Sequence, residues 1–302
     1  MRDIFASWEG FWLRPARAEA LAMFRIAFYA AVLLIYFELD ERSWADVSPV
    51  FWMPVSVFHF LPAWWRHGAL IGGVQILWKI SLAAAAVGLF TRAATVIAAI
   101  FGVFLLGLPN NFGKIDHMDG IVTMILCILC VSFCGDALSL DARAAHKRAR
   151  RESYEYGWPL RLSLAMFTLV FFAAGVSKLR ASGAAWMTAD NLRYLLLSHV
   201  YAHHPPTSLG LMIAQSPWLC RIGAVSTVVL EIAMPLTLFV ARLRYPLALA
   251  MLLLQIMIAL CMGVYFTPYM AAYLVFLPWE RWANIFRLRH DSSTPQPIPE
   301  PA

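Results

Sequence analysis

Eight stretches of this chain, roughly 20–37, 70–91, 93–109, 120–136, 160–177, 222–241, 245–264 and 267–284, are almost wholly apolar. Each approaches the length of about 20 residues that a helix needs to cross a bilayer. Inside hydrocarbon no water is present to satisfy backbone N–H and C=O groups, so such stretches must be helical. The expected fold is therefore all-α, a polytopic transmembrane helical bundle of about eight spans. Composition agrees: 61% of residues are hydrophobic and 14% charged, where a soluble domain carries about 25% charged residues. The net charge of +6 is not a nucleic-acid footprint, because the basic residues cluster in loops between apolar runs. With the N-terminus inside, fifteen arginines and lysines fall in inner segments and seven in outer ones, the densest run being 143–151. That bias predicts a multi-pass cell-membrane protein with both termini cytoplasmic. It divides the chain into a cytoplasmic N-terminal segment (1–19), a transmembrane domain (20–285) and a disordered C-terminal tail (286–302) holding four prolines.

Two outer loops are long. Residues 38–69 hold Trp44, Phe51, Trp52, Phe58, Phe60, Trp64 and Trp65, an aromatic content suited to the membrane interface. Residues 178–221 include a short helix expected near 189–200. Cys127, Cys130 and Cys134 lie at spacings of three and four in one apolar run, and read as small packing residues along one stripe of a helix. His199 and His203 have helical spacing, but no carboxylate converges on them and Pro205 ends the helix, so no metal site is expected.

Arg25, Lys79 and Glu231 fall within spans, where an isolated charge costs about 2.5–3.5 kcal/mol on insertion scales. They should face the bundle interior and find partners: Glu231 with Arg25, Lys79 or another polar group. Pro235 follows Glu231 by four residues and should free its carbonyl and bend the helix. This is either an ion pair that fixes packing or part of a site. Lys178 ends the apolar run from Leu160, and is either a snorkelling anchor or a base whose pKa the membrane edge lowers. His117 opens the fourth span on the same, outer face as Lys178. Acid–base chemistry at one substrate would need both within hydrogen-bond reach.

Four runs together resemble the vitamin K-dependent gamma-carboxylase family and its bacterial relatives, the HTTM-domain membrane proteins. They are Leu21-Ala22-Met23-Phe24-Arg25-Ile26 with the acidic Glu38–Arg42 after it; Val87-Gly88-Leu89-Phe90-Thr91-Arg92; Asn110-Asn111 through His117 to Ser139-Leu140-Asp141; and Ala174-Gly175-Val176-Ser177-Lys178-Leu179 with Trp186 downstream. They keep the family order over most of residues 20–280. The resemblance implies a carboxylase-like (lyase or ligase type) activity in which a lysine acts as base on a reduced quinone of the vitamin K class. Oxygenation of the hydroquinone then creates a strong base that removes a proton before CO2 adds. It implies Lys178 and His117 as catalytic residues, Arg25, Glu231 and Trp186 as cofactor contacts, and no metal.

There are departures. Gln255 stands where relatives often place a histidine, Ser177 where the carboxylase has a second lysine, and the chain has no large extramembrane region for a propeptide. Two functions therefore stay open: a quinone-linked modifying enzyme acting on a peptide or protein, or a non-catalytic membrane accessory protein for maturation, export or assembly of a partner. Besides these, the membrane lipid is the partner the chain must meet.

Overall fold

The computed structural model describes residues 9–61, 65–113, 118–146, 152–202 and 208–291, and these are helical throughout apart from turns and one isolated bridge between Ala16 and Ser153. By length and apolarity, Ala18–Ile35, Gly68–Val87, Thr91–Asn111, Tyr154–Met187 and Ala241–Met262 can each cross a membrane. Ser208–Ala214 and Pro217–Ala233, bent by 102°, make a sixth as a broken span. The molecule is a helical bundle of a polytopic membrane protein. The helices are α1 (Ala18–Ile35), α2 (Gly68–Val87), α3 (Thr91–Gly107), α4 (Gly120–Cys130), α5 (Leu140–Ala144), α6 (Tyr154–Ser182), α7 (Ala189–Ala202), α8 (Ser208–Ala214), α9 (Pro217–Ala233), α10 (Leu236–Phe239), α11 (Arg244–Met262), α12 (Thr267–Ala272) and α13 (Trp279–Asp291).

Three of the eight expected spans are interrupted, the sixth at Met234-Pro235 between α9 and α10. The fourth is helical for only 11 residues. The chain then turns, which presents the carbonyls of Cys134 and Leu138 to the guanidinium of Arg25 at 3.1 and 2.7 Å. The eighth breaks after α12 into a 3-10 turn at Tyr273–Phe276 and restarts beyond Pro278 as α13; a proline lacks the N–H that would continue the ladder. Residues 286–302, expected as a tail, are carried in α13 as far as Asp291, and residues 292–302 lie outside the described part.

The chain divides into two compact units, the first comprising Met1–Asp116, Thr123–Leu162 and Leu277–Ala302, the second His117–Val122 and Ser163–Phe276. In the first, α1 packs on α2 and α2 on α3, around Leu21, Phe24, Phe28, Tyr29, Trp78, Leu82 and Leu105, all fully buried. The Trp78 indole N–H donates to the Ala98 carbonyl at 3.0 Å, which satisfies the one polar atom of that buried ring. Trp279 and Ala283 of α13 are buried in this unit, with Trp279 against Phe24. The loop between α1 and α2 is laced to the end of α3 by Asn111. Its carbonyl accepts from Met53 N–H and its Oδ1 from Val55 N–H, both at 2.8 Å. Trp52, Phe58, Trp65 and Phe104 cluster there, while Val50, Phe51, Met53, Val57 and Phe60 point outward.

Lys79 caps the far end of α1. Its ammonium donates to the carbonyls of Phe37 and Leu39 at 2.7 and 3.2 Å, the end of a helix where the dipole favours a cation. It is not the partner of Glu231. In the second unit α7, α8, α9 and α11 pack together around Leu196, Ala214, Cys220 and Cys261. Phe167 and Phe171 of α6 pack against Tyr269, and Phe167 also against Tyr273 and Phe276.

Candidate functional site

The sequence accounts for both sides of the candidate site. α9 starts sharply because Ser216 caps it, its hydroxyl accepting from Leu219 N–H, and Pro217 occupies the first turn, where its missing N–H is no loss. It stops at Ala233 because Pro235 cannot donate. The Glu231 carbonyl is not left free, however, since Met234 N–H reaches it at 3.4 Å. Glu231 thus sits in the last turn of its helix, where the dipole disfavours a carboxylate. Lys178 lies near the C-terminus of α6, where a cation is favoured.

Gly175 brings the two together. It is one turn before Lys178 on the same face of α6, and a Cβ there would stand 3.0 Å from Glu231 Cβ and 3.0 Å from Ile232 Cδ1. The hydrogen in place of a side chain lets α6 and α9 approach closely at this level. Lys178 Nζ then donates to both carboxylate oxygens of Glu231, at 2.6 and 2.8 Å. The side chains are 24% and 9% exposed, so the carboxylate is enclosed while the ammonium keeps an open side. Trp186, in the turn after α6, places its ring centroid 5.2 Å from Nζ, within cation–π range. Asn191 holds that turn through a bond from Nδ2 to the Trp186 carbonyl at 3.1 Å.

Three of the five residues singled out from the sequence, Lys178, Glu231 and Trp186, therefore form one constellation in the second unit. His117 lies outside the described residues, as do His203 and His204. Arg25 belongs to the first unit, where it is fully buried and two of its nitrogens donate to backbone carbonyls. Only its Nε lacks a protein partner there.

Around Arg25 the first three family-like runs meet. Gly88 ends α2 in the left-handed conformation with φ 74°, and a Cβ there would stand 2.7 Å from Ser139 Cα and 2.9 Å from Arg25 Nη1. Asp141 caps α3, accepting from Phe90 N–H at 2.9 Å, Thr91 N–H at 2.6 Å and the Thr91 hydroxyl at 2.7 Å. Partial desolvation pushes the Asp141 carboxyl up. The bonds from Thr91 and Phe90, with the charge of Arg25, outweigh it and hold the group below the usual carboxylate range. This knot of residues positions helices. Sequence inspection missed its cap and missed Gly175, although the small run Ala173-Ala174-Gly175 one turn before a lysine is a visible sign of close helix approach.

No curated protein and no solved structure matches the chain. The profile of one domain family does, the HTTM domain, over residues 13–282. The match takes in the interrupted spans, the Arg25–Asp141 knot and the Lys178–Glu231 pair, and covers nearly the whole chain. By that extent this membrane protein belongs to the HTTM domain family.

Proposed function

We propose that the protein is a quinone-linked modifying enzyme of the cell membrane, similar to the membrane domain of vitamin K-dependent gamma-carboxylase, with Lys178 as its base. The observation that carries this reading is the Lys178–Glu231–Trp186 constellation. It combines a proton-transferring amine with an open side, a carboxylate that compensates it, and an aromatic face beside it. A planar, weakly acidic aromatic ligand needs these three elements: a proton acceptor for its hydroxyl, a counter-charge for the transferred proton, and a ring to lie against. Such residues fit a hydroquinone head. Lys178 would receive its hydroxyl, and Trp186 would flank the ring.

A bound hydroquinone supplies electrons and, with O2, the strong base that proton removal before CO2 addition requires. The chain's own part is the proton. Lys178 is not a lone desolvated amine but half of a hydrogen-bonded pair: passing one Nζ proton to Glu231 leaves a neutral amine whose lone pair can take the hydroxyl proton. Glu231 also holds Nζ in one orientation, which a flexible lysine lacks by itself. His117, by its place in the family-like run, is assigned the partner acid or orienting role. Arg25 contributes by holding the turn after α4, with its Nε–H facing no protein acceptor.

The test is turnover. The protein in nanodiscs, given a reduced vitamin K-class naphthoquinone under air, should consume hydroquinone and O2 faster than nanodiscs without protein. Equal rates would overturn the enzyme reading in favour of an accessory role in maturation, export or assembly of a partner.

We also propose that both termini face the cytoplasm, on the inside excess of arginine and lysine. A reporter fused after Pro299 should be active inside the cell. Periplasmic activity would reverse the topology and move Lys178 to the inner face.

A further inference from the structure

Two cavities in the first unit share one helix pair, and together they have the form of a single lipid. The first, of about 450 Å³, is lined by Arg92, Ser132, Phe133, Asp136, Asp141 and neighbours at the start of α3. The second, of about 410 Å³ and almost wholly apolar, is lined by Phe58, Leu61, Val96, Ile100, Phe104, Cys127, Cys130 and neighbours. Arg92, Val96, Ile100 and Phe104 follow one another at intervals of four, a single stripe along α3. Cys127 and Cys130 run beside them on α4, which leads directly into Ser132–Asp136 of the first cavity. At about 1.5 Å per residue, the apolar groove begins about 8 Å beyond Thr91 and ends about 20 Å beyond it. One extended acyl chain anchored at the interface covers that depth.

The polar end carries opposite charges. Arg92 Nη1 donates to the Ser132 carbonyl at 3.1 Å, and its guanidinium lies 4.9 Å from the Phe133 ring centroid. Most of its five donors stay open, in a plane suited to a phosphate. Asp141 is occupied by the three α3 donors described above. Among the described residues the Asp136 carboxylate accepts only the Tyr156 hydroxyl, at 3.0 Å on Oδ2, and its Oδ1 has no donor. Phe90 and Phe133 form an exposed aromatic rim, 74% and 41% exposed. A lone guanidinium would suit any anionic lipid; a guanidinium and an available carboxylate in one cavity suit a head that carries a phosphate and a protonated amine.

We propose that this groove binds a phospholipid with a primary-amine head, phosphatidylethanolamine, its phosphate on Arg92, its ammonium on Asp136 and one acyl chain along Val96, Ile100 and Phe104. The site is independent of Lys178 and stands whether or not the chain is an enzyme. Purified full-length protein in detergent would be titrated with phosphatidylethanolamine, phosphatidylglycerol and phosphatidylcholine, and bound lipid counted by native mass spectrometry. Phosphatidylethanolamine should bind about tenfold more tightly than the other two, the worth of one charge-assisted hydrogen bond. Phosphatidylglycerol lacks the ammonium, and the quaternary amine of phosphatidylcholine has no N–H to donate. Arg92→Gln should weaken all three, and Asp136→Asn should abolish the preference. Ile100→Trp, at a position already 60% exposed and so tolerant of bulk, should block the chain. Equal affinity for the three lipids overturns the proposal, as do a preference that survives Asp136→Asn and unchanged binding in both Arg92→Gln and Ile100→Trp.

Discussion

Lys178→Arg should lower the proposed quinol-dependent turnover by at least about 100-fold while leaving the protein folded and membrane-inserted. Arginine keeps the positive charge, so Glu231 keeps an ion-pair partner and the α6–α9 contact survives. What it lacks is the ability to give up a proton at any working pH, and loss of a general base costs about 10²–10⁴ in rate. Lys178→Ala should abolish turnover equally, with a different physical signature. It strands an enclosed carboxylate, and breaking a buried pair from one side costs about 3–5 kcal/mol unless the group protonates. The alanine variant should therefore lose thermal stability as well as activity. The double variant Lys178→Met, Glu231→Leu should recover much of that stability without recovering any activity, because both charges leave together. Full turnover in Lys178→Arg would identify the residue as an anchor and sink the base assignment.

Gly88→Ala should severely destabilise the protein, by about 3 kcal/mol, read as a fall in melting temperature in detergent. Two costs combine. A residue other than glycine at φ 74° gives up about 1–2 kcal/mol, and forcing a methyl into packed surroundings costs about 1–3 kcal/mol more. The second cost is high here because the methyl would strike Ser139 backbone, 2.7 Å from its Cα, as well as the Arg25 guanidinium. Neither can step aside: Arg25 is fixed on two carbonyls, and Ser139 carries the turn that delivers Asp141 to the α3 N-terminus. Gly113→Ala separates the two costs. Gly113 has φ 89° but nothing within 4 Å of its would-be Cβ, so it should lose only the backbone part. If the two variants melt alike, the knot around Arg25 is not tightly packed and its structural role is withdrawn.

Hydropathy located the first three long helices to within a few residues, since burial in lipid demands an unbroken apolar run and the run is local information. It overestimated the continuity of the fourth and eighth spans, for different reasons. The fourth ends where Arg25, more than a hundred residues earlier, takes two carbonyls, and carbonyls have no sequence signature. The eighth carried its own sign in Pro278, outweighed by the surrounding apolar residues.

For the site, the chain by itself marked Lys178, at the end of an apolar run, and Glu231, beside Pro235, because ionisable groups at such places are costly and need a partner. It also determined the helical class, through the absence of water for the backbone. It did not determine which charges pair. Arg25, Lys79 and Lys178 were all electrostatically adequate for Glu231, and electrostatics alone does not rank them. The tertiary structure decided it through shape. Lys79 and Arg25 bond to carbonyls within their own unit, while Gly175 lets α6 and α9 approach closely enough for the Lys178 ammonium to reach both oxygens of a carboxylate 53 residues away.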